Sequence, residues 1–317
     1  MKKYNVLVIG DLNVDLILNN IIDFPRIGSE IIANNMQLVL GSSSAIFASN
    51  ISVLGEEVAF LGKIGDDMFG KVVGDSLVSK KVSTEFIIKN KSLNTGATVV
   101  LNYGEDRAMV TYPGAMELLN GNDISDDVLN SANHLHISSI FLQPLLLKDL
   151  KDILSRAKSL GMTTSLDPQW DPSGKWEFDI AQVLPYIDVF LPNKKELLLI
   201  TGSKSLKEGI KKVSSFANTI VVKNGSSGSY LWCKNEELTK PAFLNNNIVD
   251  CIGAGDSFDA GFISKYIQGK TNDECLDFAN LCGAINTTQA GGTAAFESLK
   301  TVREIAIGIF DYNKKIR

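Results

Sequence analysis

Three small residues and a carboxylate stand together late in the chain, at Gly253-Ala254-Gly255-Asp256. Ala254, Phe258, Phe262 and Tyr266 follow at fourfold spacing, the pattern of a buried helix. A loop turning into such a helix leaves the first-turn N–H groups unpaired, and these form a site for an anion. Glycine lets a phosphate approach the backbone closely. A carboxylate at Asp256 would then lie beside an incoming phosphoryl group, placed to take a proton from an attacking hydroxyl. The same string reads equally as a tight turn whose Asp256 only caps the helix, because glycine-rich helix starts are common. The residues alone leave both readings open.

Other polar groups stand where an apolar run gives way to a loop. Asn13 and Asp15 follow the first run, in Gly10-Asp11-Leu12-Asn13-Val14-Asp15. In Pro192-Asn193-Lys194-Lys195-Glu196 the spacing is that of a capping box. Lys223-Asn224-Gly225-Ser226-Ser227-Gly228 reads as a hairpin turn or as backbone built for close approach to a ligand. Gly62-Lys63-Ile64-Gly65-Asp66-Asp67-Met68-Phe69-Gly70 reads as architecture, a turn into a capped helix.

A scaffold of short strands and amphipathic helices must position these groups. Residues 6–9, 58–61, 134–138, 163–166, 189–191, 220–222 and 229–232 read as strands, and 145–160, 206–216 and 272–288 show helical spacing. The alternation predicts an α/β fold with a mostly parallel sheet covered by helices. No repeat, low-complexity tract or linker divides residues 1–317, so a single domain is expected. Residues 95–111 break the pattern: two β-like runs flank a polar turn, Tyr103-Gly104-Glu105-Asp106-Arg107. With residues near 12–35, and reaching to about 112, this hairpin would form a small projecting sheet, a lid or a dimer surface. A hairpin packed on the domain edge fits the pattern equally.

The 317 residues, 44% apolar and 21% charged, suffice for a sizeable core. A net charge of −5 without a run of like charge argues against a general nucleic-acid binder. Cys233, Cys251, Cys275 and Cys282 form no CxxC pair, and His134 and His136 alternate within a strand, so no zinc site is expected. A reduced thiol set, a short N-terminal strand in place of a signal core and no membrane-length apolar stretch together predict a cytoplasmic protein without a membrane partner.

The segment from Asp250 resembles the second signature of the PfkB family of carbohydrate kinases, D-T-x-G-A-G-D before a small-residue helix, with Cys251 where Thr is usual. The resemblance implies a ribokinase-like three-layer sandwich with a projecting β-sheet lid. It also implies that Asp256 is the catalytic base and that the amides of Gly253, Ala254 and Gly255 form the hole for the migrating phosphate. The family's opening strand and loop are similar to residues 10–15, which implies that Asn13 and Asp15 bind sugar hydroxyls; carboxylate oxygens suit that task as acceptors. Asn193 and Glu196 match P-N-x-x-E, which implies that they arrange Mg²⁺ and the ATP phosphates largely through water, since magnesium keeps most of its waters. Lys223, Gly225 and Gly228 fall in the nucleotide strand and loop, with Lys223 able to reach a phosphate. Asn280 falls beside the adenine pocket, and Asp250 and Ile252 match a monovalent-cation site, K⁺ for instance. A homodimer through the projecting sheet is implied as well.

Two departures bear on the acceptor. The family's first signature, G-G-x-x-x-N-x-A, here reads Gly41-Ser42-Ser43-Ser44-Ala45-Ile46-Phe47-Ala48. Gly41 and Ser42 would border the substrate, while Ile46 replaces a sugar-binding Asn and argues against ribose. In Asp167-Pro168-Gln169-Trp170-Asp171, Gln and Asp replace the Asn and Arg of D-x-N-x-R. Losing that Arg argues against an acidic sugar, and the absence of Lys from residues 41–48 argues against a sugar phosphate. Trp170 and Trp176 read as packing residues. The expected reaction moves the γ-phosphoryl of ATP to a hydroxymethyl group of a neutral monosaccharide. A nucleoside kinase, with Ile46 against the base, and a non-catalytic sugar or nucleotide sensor are the alternatives. A dinucleotide-dependent dehydrogenase is disfavoured, because the glycine-rich helix start comes late in the chain.

Overall fold

In β1 (Tyr4–Ile9) alternate side chains point to opposite faces, and both faces are apolar: Val6 and Val8 on one, Leu7 and Ile9 on the other. A strand apolar on both sides must be covered on both sides. The computed structural model, which describes residues 2–19, 21, 23–103, 106–234 and 236–316, meets that demand with three layers.

The remaining strands are β2 (Asn13–Asn19), β3 (Asn35–Leu40), β4 (Val58–Gly65), β5 (Ser83–Asn90), β6 (Gly96–Tyr103), β7 (Asp106–Tyr112), β8 (Ala132–Ser138), β9 (Thr163–Asp167), β10 (Val189–Phe190), β11 (Thr219–Lys223), β12 (Ser229–Cys233) and β13 (Glu236–Lys240). The helices are α1 (Ser43–Val53), α2 (Met68–Ser79), α3 (Asp126–Asn130), α4 (Pro144–Ser159), α5 (Ile180–Val183), α6 (Lys194–Thr201), α7 (Leu206–Val213), α8 (Ala254–Ile267), α9 (Asn272–Asn286) and α10 (Leu299–Phe310).

The main sheet runs β13-β12-β11-β10-β9-β8-β1-β4-β5. Its seven strands from β11 to β5 are parallel, and β12 and β13 add an antiparallel edge. Helices α1, α2, α8, α9 and α10 pack on the face of Val6 and Val8, and α3 to α7 on the other. Three strands escape the sequence reading. Glu236–Lys240 has too little apolar content to signal an edge strand, β5 is only half-buried, and β3 lies beyond residues 12–35. Helix α7 stops at Val213, short of the expected 216, where Ser214 and Ser215 follow.

A second sheet, β3-β2-β6-β7, has two unlike faces. Asp15, Thr98 and Thr111 form one row on the inner face. On the outer face Leu38, Leu16, Val99 and Val110 form one row and Met36, Leu18, Leu101 and Ala108 the next. Val110 is 70% exposed there and Met36 65%. Gly104 and Glu105 of the expected turn, and Asn20 and Ile22 of the expected 12–35 segment, lie outside the described residues.

Both histidines are buried on β8. His134 bridges Thr163 and Ser165 at 2.8 Å each; His136 bonds Ser165 at 2.8 Å and stacks on Phe47 at 3.6 Å. Burial pushes His134 down to about 3 and His136 well below its ordinary value. Among the described residues no helix is long and apolar enough to cross a membrane.

Candidate active site

The parallel strands bring their carboxyl ends to one edge of the main sheet. Asp11 follows β1, Ser139 follows β8, β9 ends on Asp167, Asn193 follows β10 and β11 ends on Lys223. The neighbours of β1, β4 and β8, lie on its opposite sides, so a topological switch point opens here, where open α/β sheets bind ligands. Two adjoining cavities, of about 290 and 390 Å³, occupy this edge and share Lys223, Cys251 and Gly255.

The start of α8 faces their junction. Gly253, its N-cap, has φ +77°, and a Cβ there would lie 2.6 Å from Gly292 Cα, so backbone and space both require glycine. Asp250 pins the turn, accepting from Ile252 N at 2.9 Å and Gly291 N at 3.0 Å, while Asn286 Nδ2 donates to Ile252 O at 2.6 Å. Of the three amides expected to face an anion, Ala254 N–H instead turns back to Cys251 O at 3.3 Å. The amides of Gly255 and Asp256 belong to the open first turn.

Asp256 is buried at the wall of the larger cavity. Its carboxyl is pushed up to about 8, by burial first and by Asp167 second, against the pull of Lys223. Lys223, expected to reach a phosphate, is engaged otherwise: its ammonium bonds Asp167 Oδ2 at 2.7 Å and Asp259 Oδ2 at 2.9 Å. Those carboxylates raise the lysine above its ordinary value, and burial pushes Asp259 well above its own. One ammonium among three buried carboxyls cannot neutralise them all, and Asp256 and Asp259 are the two held above their ordinary values. Gln169 Nε2 completes it, donating to Asp167 Oδ2 at 2.6 Å and Asp256 Oδ1 at 2.8 Å.

The larger cavity is bounded on its other side by the second sheet. Asn13 Nδ2 donates to Asp15 Oδ1 at 2.9 Å and Thr98 Oγ1 at 3.1 Å. Burial pushes Asp15 up to about 7. Thr98, Arg107, Met109 and Thr111 continue the wall. Gly41 lies behind it, since a Cβ there would meet Asp15 Oδ1 at 2.2 Å. Ser42 lines the cavity, but its hydroxyl caps α1 through Ala45 N at 2.9 Å and donates to Asp11 O at 2.6 Å. Ile46 is 3% exposed and packs on the α8 turn: a Cβ on Gly292 would meet its Cδ1 at 2.3 Å. It also lines the larger cavity, so its bulk borders both the turn and the acceptor space. Asp171, at the place of the missing Arg, folds inward to bond Ser173 N at 2.8 Å and Trp176 N at 2.6 Å. The two tryptophans meet edge to face at 5.1 Å, Trp176 buried against Phe141 and Trp170, 47% exposed, lining the cavity under Lys195.

The smaller cavity runs along Gly225, Gly228, Phe258 and Asn280. Asn280 Nδ2 is held by Ser229 Oγ at 2.7 Å. Asn193 and Glu196 form the full capping box, at 2.8 and 2.9 Å, and line the larger cavity. Burial, then Asp167, pushes Glu196 up to about 7. The sequence reading gave no role to Asp11, Asp167 or Asp259 and read Gln169 only as bordering the acceptor. Asp167 and Lys223 each close an apolar strand run, and Asp259 stands one helical turn beyond Asp256, signals that could have found them.

A three-layer sandwich with a small sheet across its strand ends is the ribokinase-like fold. An Arabidopsis thaliana ribokinase complexed with ribose and ATP superposes with a TM-score of 0.80 at 23% identity, covering 95% of this chain and 98% of that one. An adenosine kinase from Sinorhizobium meliloti gives 0.83 at 22%, covering 95% and 99%. In sequence, residues 3–299 match the model of the pfkB family carbohydrate kinases. Fructokinase-2 of Solanum lycopersicum is 30% identical over 274 residues, which span 80% of this chain and 83% of that protein. The chain belongs to the pfkB family of carbohydrate kinases, phosphotransferases with an alcohol group as acceptor.

Proposed function

We propose that the protein transfers the γ-phosphoryl group of ATP to a hydroxymethyl group of a neutral monosaccharide, with Asp256 as general base. The observation that carries this reading is the placement of Asp256 on the open first turn of α8, at the junction of two cavities. A carboxyl pushed up to about 8 has the proton affinity a base near neutrality needs. Asn13 and Asp15 hold sugar hydroxyls, and the amides of Gly255 and Asp256 face the charge that develops on the phosphoryl group. In such transfers alignment and charge stabilisation supply most of the acceleration. The second sheet acts as the lid that keeps water from the phosphoryl group. Asp171, engaged with its own loop, offers nothing to a substrate carboxylate, which favours a neutral acceptor.

ATP lies along Gly225, Gly228 and Asn280 in the smaller cavity. Among the described residues no three His, Cys, Asp or Glu side chains are grouped to hold a metal, which fits an ion carried on nucleotide phosphates and water. Glu196, its oxygens engaged with Asn193, meets such an ion through water. When bound, Mg²⁺ would neutralise phosphate charge. The Asp250–Ile252 donor set fits a monovalent cation poorly, because these groups already bond one another, Gly291 and Asn286; the transfer is derived without one.

The apolar outer face of the second sheet supports a homodimer, with a second copy covering Leu38, Val110 and Met36. Four free cysteines suit the reducing cytoplasm. A panel of ketoses, aldoses and nucleosides read by ADP release tests the reading. Turnover on a free sugar is expected. Turnover on nucleosides alone would move the substrate class, and none on either would remove the kinase assignment.

A further inference from the structure

Gln169 stands in the left-handed region at φ +61°, a conformation that costs a residue with a β-carbon and survives where the surroundings impose it. Its side chain has one evident use. Both hydrogens of the Nε2 amide are taken by carboxylates, one by Asp167 Oδ2 at 2.6 Å and one by Asp256 Oδ1 at 2.8 Å. Its own backbone N–H also points to Asp167 Oδ1, at 3.3 Å. Once Asp256 is ionised, the state in which it can take a proton, its oxygens only accept, and the amide nitrogen is the group that faces them. Through Asp167 the chain of contacts continues to Lys223 and from there to Asp259.

We propose that Gln169 is a positioning residue for phosphoryl transfer: its amide fixes the rotamer of the Asp256 carboxylate and ties it to the Asp167–Lys223–Asp259 cluster. The proposal rests on the reading of Asp256 as the base. Its physical content is that two carboxylates, which would otherwise repel, are bridged by a neutral double donor. The bridge favours the ionised form of Asp256 without adding a charge that would attract the phosphoryl group away from the turn. The groups that face Asp256 come from every side: Asp167 at the end of β9, Lys223 at the end of β11, Asp11 after β1 and Ser43 at the start of α1. Asp259 and Glu196 act on it through Lys223 and Asp167. Gln169 joins Asp256 to Asp167 by a hydrogen bond at each end.

The test reads the carboxyl itself. ¹³C-carboxyl NMR of the full chain, with the Asp256 signal assigned by its loss in Asp256→Asn, follows the titration without any substrate. In Gln169→Met, which keeps the length and removes the donors, the midpoint is expected to rise by about one to two pH units, the loss of a hydrogen bond to a charged group. Gln169→Glu should raise it further, by adding a like charge. Gln169→Asn, one methylene shorter, should fall between Gln169→Met and the native protein. If Gln169→Met fails to fold, the Glu and Asn variants carry the same comparison. A midpoint unmoved in the folded variants overturns the proposal, and a rise in sugar KM alone would then mark Gln169 as a substrate contact. Should Asp256→Asn retain native turnover on the sugar found by the panel, the base assignment falls instead, whatever the titration shows.

Discussion

The two sides of the larger cavity are built differently. On the transfer side, strand ends from β9 and β11 and the first turn of α8 lock together through charge: Asp256, Gln169, Asp167, Lys223 and Asp259 form one connected buried set. On the acceptor side, the wall is a thin sheet in which Asn13, Asp15 and Thr98 bond mainly to one another, and the far face of that sheet is exposed and apolar. A change on the first side leaves charges buried without partners. A change on the second alters a few hydroxyl contacts and leaves the rest standing. With Asp256 as the proposed base and Asp15 as the proposed sugar contact, chemistry and substrate choice would sit on separable supports.

The sharpest test is Asp256→Asn. Turnover should fall by about 10² to 10⁴, the usual worth of a general base, with sugar KM little changed. A loss under about tenfold would break the division of labour at its centre. In the native protein kcat/KM should rise with pH and level off above about 8, because the base must be ionised to accept a proton. Stability should move the opposite way. The folded carboxyl is raised above its ordinary 3.8, so its contribution is present at low pH and is lost as pH climbs through about 8. Asp256→Asn lacks that loss, and chemical denaturation should find its stability gaining on the native protein across this window.

Next in size is Lys223→Met. Removing one partner of a buried ion pair costs about 3–5 kcal/mol, and here two carboxylates lose theirs. Urea unfolding should show a loss of that order at neutral pH. A loss below about 1 kcal/mol, as for a surface pair, would show that the cluster is not the stiff half of the site.

Asp15→Asn should act on the acceptor half, raising sugar KM by about 10- to 100-fold, the worth of a hydrogen bond to a charged group, while ATP KM stays put. Equal damage to both would erase the contrast. The smallest effect is expected at the outer face, where Val110→Lys should turn a dimer into a monomer by sedimentation with kcat within about twofold, since the side chain points away from the transfer groups.

Much of this molecule could be read from the chain. Every expected strand of the main sheet is present, most of them as short apolar runs buried on both faces and β12 as a half-buried one. The α8 turn announced itself through glycines, and the box at Asn193 and Glu196 through spacing. The buried cluster was harder to read because its members come from separate elements: the parallel register of β9, β10 and β11 brings Asp167 and Lys223 together, and α8 carries Asp259 to them. Strand β13 was hidden because a polar edge strand has no apolar signature. The partners of Lys223 and of the Ser42 hydroxyl could not be read from the chain, because partners are tertiary facts.

The two imidazoles carry a practical lesson for anyone titrating this kinase. An ionisation seen between pH 5 and 8 in an unfamiliar enzyme is by habit given to histidine. This chain has only two, and both are walled into β8 in their uncharged form, with His134 held near 3. An inflection near neutrality would therefore be the signature of acids such as Asp15, Glu196 and Asp256, and histidine-directed reagents should leave it untouched.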